Sequence, residues 1–128
     1  MQEILASVIV WNPQNEKTVI RHVGLVDTGC RYPVLPMQWK EILAPFPSCR
    51  QHQLLTADQR ASKADTFGPI MLKVGGFVAV PTEVAFLEMT GDDNRDFALI
   101  GHLVLQQAEI VVNLVTHRLF RRSQLEAI

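Results

Sequence analysis

The 128-residue chain has no excess of charge of either sign: its formal net charge is -1 and its pI is near 6.4. Binding a phosphate backbone needs a basic face, so nucleic acid is not expected as a partner. The one basic cluster, Arg118 with Arg121 and Arg122, reads as a solvated face. Cysteine is scarce. Cys30 and Cys49 form no CxxC pair, and a reduced, cytoplasmic chain is the expectation. No apolar stretch approaches the length of a membrane span, and no membrane partner is expected. Met1-Gln2-Glu3-Ile4 lacks a basic region leading into an apolar run, so no secretory leader is expected.

Several kinds of chemistry are also missing. The four histidines, His22, His52, His102 and His117, have no metal-ligand spacing with each other or with the cysteines. Neither a metal nor another cofactor is expected. There is no nucleophile elbow and no Ser-His-Asp order. Gly68 to Gly76 matches no phosphate-binding pattern. Internal repeats and low-complexity segments are absent.

What is present is a chain 48% hydrophobic and 20% charged, which suits one globular domain over residues 1–128. Ile4 to Trp11 and Thr18 to Val26 read as strands joined by the turn Asn12-Pro13-Gln14-Asn15. Val34 to Pro36 is a short extended piece, and Met37 to Leu43 has room for a helical turn or two. Gln51 to Thr56 and Lys63 to Phe67 flank a polar turn, which predicts a projecting hairpin. Pro69 to Val74, the turn Gly75-Gly76 and Phe77 to Leu87 predict another. Gly91 to Asp96 reads as a charged loop. Leu99-Ile100-Gly101 leads into the one convincing helix, and Ile110 to Val115 with Arg118 to Phe120 closes the chain as strands. Many short strands with regular turns predict an all-β closed barrel or sandwich. Trp11 and Trp39 read as core or interface packing.

The apolar run Val23 to Val26 ends in Asp27-Thr28-Gly29. Asp and Gly suit an ordinary β-turn. A carboxylate at the end of a buried strand loses hydration, however, and that cost points to chemistry. Two apolar pieces flank the triplet, Leu25-Val26 and Val34-Leu35, and Leu99-Ile100-Gly101 follows 72 residues later.

These two motifs, in this order, resemble the retropepsin family, the single-lobed aspartic proteases. The resemblance covers nearly the whole chain. It implies a closed acid-protease β-barrel with one short C-terminal helix, acting as a symmetric homodimer on peptide or protein substrates. Asp27 would be catalytic, Thr28 and Gly29 would support the catalytic loop, and Leu99, Ile100 and Gly101 would pack behind it. Two like charges around one water share a proton, so one can act as base and the other as acid. The chain has a single Asp-Thr-Gly; Asp65-Thr66-Phe67-Gly68 has Phe67 where close approach needs Gly. The second carboxylate would then be Asp27 of another copy.

By its place in the order, the family's flap falls on residues 51 to 67, with the tip at Asp58, Gln59, Arg60, Ala61 and Ser62, a turn without Gly. Lys73 to Val78 is more flap-like in composition but sits late in the order. Cys30-Arg31 and His102 stand where retroviral members carry Ala-Asp and Arg, which form an ion pair that Arg31 and His102 cannot make. Cys30 reads as a small buried replacement for Ala, with a redox-sensitive thiol as the other reading. Two rivals to an aspartic endopeptidase remain open. One is a non-catalytic module of the same fold that binds or assembles extended peptides by strand addition. The other is an unrelated small barrel with a chance Asp-Thr-Gly turn.

Overall fold

Alternation of side chains builds the first hairpin. β1 (Leu5–Asn12) turns Val8, Val10 and Asn12 inward, and β2 (Asn15–Val26) returns antiparallel to it. A computed structural model describes residues 3–55, 61–88 and 97–122. The later elements are β3 (Val34–Pro36), α1 (Trp39–Leu43), β4 (Ser48–Leu55), β5 (Ala61–Val74) and β6 (Val80–Leu87). They are followed by β7 (Ala98–Ile100), α2 (His102–Gln107), β8 (Ile110–Asn113) and β9 (Arg118–Arg121).

Hydrogen bonding runs β1-β2-β7-β3-β6-β5, and β5 pairs back onto β1 from Val8↔Val74 to Trp11↔Met71. That last pairing closes a six-stranded barrel, so the chain is mostly β with few helices. β4 hangs outside as a third partner of β5, and β8 with β9 forms a separate two-stranded sheet. Strands β1, β3, β5, β6 and β7 and helix α2 all send side chains into one core. Val8, Val10, Leu35, Ile70, Leu72, Val74, Val84, Ile100 and Val104 are each at most 1% exposed. Truncating one such side chain to Ala costs about 2–5 kcal/mol, the transfer loss plus a cavity.

The structure corrects the sequence expectations in three places. Residues 63–67 and 69–74 are one strand rather than two, because the β5–β6 register shifts between Phe67 and Ile70 and absorbs Pro69. Proline lacks the N–H that a regular ladder needs, and a bulge tolerates it. Ala61 and Ser62, expected at the hairpin tip, lie on β5 opposite Leu55 and Leu54. The return strand starts at Val80 rather than Phe77, after a turn with Gly75 at φ +48°. The helical turn expected within Met37 to Leu43 is present: α1 buries Trp39 and Leu43, four apart on one face. Asp58, Gln59, Arg60 and the charged loop 91–96 lie outside the described residues.

Asn12 is more than a turn residue. It is 1% exposed, and its Nδ2 donates to the carbonyls of Leu43 (2.8 Å) and Pro45 (2.7 Å) while its Oδ1 accepts from Gln14 N (2.9 Å). A buried amide with its hydrogen bonds made ties the first turn to the end of α1. No helix among the described residues is long and apolar enough to cross a membrane.

Candidate active site

The site is built where two distant stretches cross. β7 lies between β2 and β3, with Leu99 paired to Leu25 on one side and to Val34 on the other. Residues 27–33 therefore wrap over the end of β7 to connect its two neighbours. Backbone bonds fix that wrap: Asp27 N donates to Ile100 O (3.0 Å), His102 N to Cys30 O (2.7 Å) and Leu103 N to Arg31 O (3.2 Å). The first N–H groups of a helix have no partner inside it, so the loop carbonyls satisfy two of them on α2.

Such a crossing requires small residues. A Cβ on Gly101 would stand 2.7 Å from the backbone of Tyr32, and one on Gly24 would stand 2.7 Å from Val8 Cγ1. Both distances lie inside van der Waals contact, and at Gly101 the obstacle is backbone that cannot rotate away. Leu99, Ile100 and Gly101 thus lie directly against the Asp27 loop, which explains why their order along the chain carries information.

Asp27 is partly exposed and Thr28 and Gly29 are exposed in the single chain. One carboxylate oxygen, Oδ1, accepts from Gly29 N at 3.1 Å, and the Asp27 carbonyl accepts from Cys30 N at 3.2 Å. A Cβ on Gly29 would sit 3.4 Å from Oδ1, covering the carboxylate without striking anything else. The acid borders a cleft of about 530 Å³. Its apolar walls are Leu25 and Val26 on one side and Val112 and Leu114 on the other, and Glu3 and His117 are its other titratable groups. Above it stands the β8–β9 turn, where Asn113 Oδ1 accepts from Val115 N and Thr116 N. That turn presents Leu114 and Val115 to solvent at 72% and 88% exposure.

Cys30 and Cys49 are not bonded to each other. Cys30 is partly buried, and its Sγ donates to Tyr32 O at 3.1 Å. Burial first, and the Asp27 charge second, push its thiol pKa upward. A thiol held protonated is a weak nucleophile, which favours the packing reading of Cys30 over the redox one.

Arg31 and His102 make no ion pair with each other. The backbone bonds from His102 and Leu103 to Cys30 and Arg31 tie the same two segments instead, and the Arg31 guanidinium lies 5.6 Å from the Tyr32 ring centroid. The charged pair is elsewhere, between residues that sequence reasoning did not connect. Arg50 on β4 grips Glu83 on β6 with both ends of its fork, Nε to Oε1 at 2.9 Å and Nη2 to Oε2 at 2.7 Å. Thr66, 2% exposed, donates its hydroxyl to Glu83 Oε1 at 2.9 Å. A hydroxyl has one proton, so His52 Nε2, 2.8 Å from Thr66 Oγ1, is the donor in that contact. The His52 ring also packs on Tyr32, with centroids 5.0 Å apart. Partial burial alone would raise the Glu83 pKa; the hydrogen bonds from Arg50 and Thr66, helped by the Arg50 charge, win and lower it.

This network anchors the base of the β4–β5 hairpin to β6 and to the chain leaving the Asp27 loop. The second Asp-Thr pair, Asp65-Thr66, sits in plain strand here, where Thr66 serves the anchor. The Gly75-Gly76 turn, the other flap candidate, is fixed to β1 through Gly75 N and Ser7 O at 2.8 Å. Among the described residues, no three His, Cys, Asp or Glu side chains converge as metal ligands. Trp39 is buried edge-on to His22 at 5.3 Å, whereas Trp11 faces outward and is partly exposed. Comparison with protein-family models finds no match, and no curated protein matches the chain significantly.

Proposed function

We propose that the chain is a retropepsin-like aspartic endopeptidase that works as a symmetric homodimer. The observation that carries this reading is the Asp27 loop: one carboxylate oxygen is held by Gly29 N, and the acid borders an apolar cleft below an exposed Leu114-Val115 turn. A single such carboxylate lacks the shared proton that acid hydrolysis of a peptide needs. A second copy would supply the other Asp27, and covering Leu114 and Val115 would favour assembly. In the dimer, the ionised Asp27 takes a proton from water as the water oxygen attacks the peptide carbonyl. The protonated Asp27 donates to the carbonyl oxygen. Proton return to the amide nitrogen then releases amine and acid. Thr28 and Gly29 shape the loop, and no cofactor takes part. The free cysteines fit a reducing, cytoplasmic setting.

The non-catalytic reading keeps one observation of its own. Among the described residues β4 ends the sheet, so its outer edge has backbone groups to offer an extended peptide. A mixed peptide pool incubated at acidic and neutral pH separates the two. The protease reading expects defined cleavage products from the wild type and none from a folded Asp27→Asn variant. Binding without cleavage by the wild type leaves the module.

A further inference from the structure

The outer face of the first hairpin breaks the alternation that builds the barrel. An antiparallel strand with one solvated face reads apolar inward and polar outward. Val8-Ile9-Val10-Trp11 is apolar throughout. Val8 and Val10 fill the core, so Ile9 and Trp11 face out, where each is only partly buried. The register fixes what stands beside them. Trp11 pairs with Val19 on β2 and with Met71 on β5, and Ile9 pairs with Arg21 on β2 and with Lys73 on β5. An apolar row thus lies next to a row with a cation on each side of Ile9. Ile9, Trp11, Glu16, Val19, Arg21 and Lys73 line an open cleft of about 400 Å³. None of them lines the cleft at Asp27, which follows the far end of β2.

The charges say what covers this face. Among the described residues neither Arg21 nor Lys73 takes part in an ion pair, and Glu16 is the one acid lining the cleft. A second copy laid on the same face would set these cations against their own counterparts, with two positive charges to one negative on each side. Like charges juxtaposed in an interface oppose it. An acidic partner meets no such opposition. Its apolar side chain takes Trp11 and Val19 out of water, and aromatic and arginine side chains are the ones that anchor interfaces. Neighbouring strands lie about 4.8 Å apart, so Arg21 and Lys73 start about 10 Å apart across Ile9. An extended peptide advances about 3.3 Å per residue, which matches carboxylates about three positions apart.

We propose that this cleft docks an extended acidic segment of a partner protein, with an apolar side chain seated on Trp11 and Val19 and carboxylates on either side of it paired to Arg21 and Lys73. The proposal is independent of the chemistry at Asp27. Docking here weakens with salt, because charges at a surface are screened beyond about 10 Å at 0.1 M ionic strength. Trp11 reports it directly. Trp39, the other tryptophan, is buried, so a ligand on this face changes the fluorescence of Trp11.

The test uses the full chain and a set of short synthetic peptides in which leucine or phenylalanine stands between two glutamates. Binding is read by tryptophan fluorescence and by anisotropy of the labelled peptide. Replacing both glutamates by glutamine, or the apolar residue by serine, should weaken binding about ten-fold or more. Arg21→Glu combined with Lys73→Glu should do the same, and Trp11→Phe should abolish the fluorescence change. Arg21→Gln combined with Lys73→Gln adds no repulsion and serves if the reversed pair fails to fold. Losses of this size in folded variants support the proposal. Wild-type protein that binds none of the peptides, or binding that the folded charge variants leave unchanged, overturns it. A preference for phosphatidylserine vesicles or single-stranded oligonucleotide over the acidic peptides overturns it as well, and makes the cations a membrane or nucleic-acid contact. Self-association of the wild type that the charge-reversed variant dissolves assigns the face to a second copy and overturns it too.

Discussion

The Asp27 loop and the β4–β5 hairpin are both anchored close to Tyr32, but by different means. The loop is held by backbone bonds from β7 and α2, across a crossing that two glycines permit. The hairpin base is held by side chains: Arg50 on Glu83, Thr66 on Glu83, His52 on Thr66. Backbone bonds do not titrate and do not depend on which side chains surround them. Side-chain anchors do both. In the proposed protease, the first kind would suit a loop that fixes a reacting carboxylate, and the second an element that admits a peptide.

Substitutions test that contrast, beginning with the largest expected effect. Asp27→Asn should lower peptide cleavage by about 10³-fold or more, since it removes the acid-base pair. Its thermal unfolding should stay close to wild type, because Gly29 N still finds an oxygen at position 27. Gly101→Ala should cost about 2–3 kcal/mol in denaturant unfolding, the scale for overpacking against a rigid neighbour. Gly29→Ala should be nearly neutral in the same measurement and yet impair cleavage, because its Cβ meets the carboxylate and nothing else. If Gly29→Ala unfolds the chain while Gly101→Ala does not, the account of the crossing fails.

The hairpin anchor should respond more gently. Thr66→Val leaves His52 Nε2 without its acceptor and should cost about 1 kcal/mol. The effect of Glu83 depends on pH with a definite sign. Its folded pKa is depressed, so it contributes stability above the ordinary carboxylate range and loses it as pH falls through the folded value. Glu83→Gln should therefore be less stable than wild type at neutral pH, with the gap closing below about pH 4. A gap that stays constant with pH would mean that Glu83 acts through shape alone.

Local signals made part of this legible in the sequence. The first hairpin shows as alternation broken by Asn12-Pro13, and the site loop as an apolar run that stops at Asp27. Gly101 opens a helix because a strand end followed by helix formers reads locally. A closed barrel was expected from the many short strands, but the pairing that closes it was not legible, since β1–β5 joins residues such as Val8 and Val74 that share no local pattern. Arg50 and Glu83 are 33 positions apart and ordinary in their own segments. Gly68-Pro69 reads as a break, and only a partner strand that tolerates the bulge turns it into continuous β5. The expected ion-pair positions, Arg31 and His102, make no pair with each other; the segments they stand on are joined by backbone bonds, which residue identity does not reveal.

The position of β7 between β2 and β3 also sets a schedule. Asp27 and Ile100, its backbone partner, are 73 positions apart, so the support of the loop is made long after the loop itself. At about 5–20 residues per second, that is a delay of roughly 4–15 s during synthesis. A nascent chain that ends before Ala98 carries the Asp-Thr-Gly triplet without the backbone bonds from β7 and α2 that fix the loop. The structure thus has a built-in order of assembly in which the Asp27 loop is joined to its backbone partner only by a strand made much later than the loop itself.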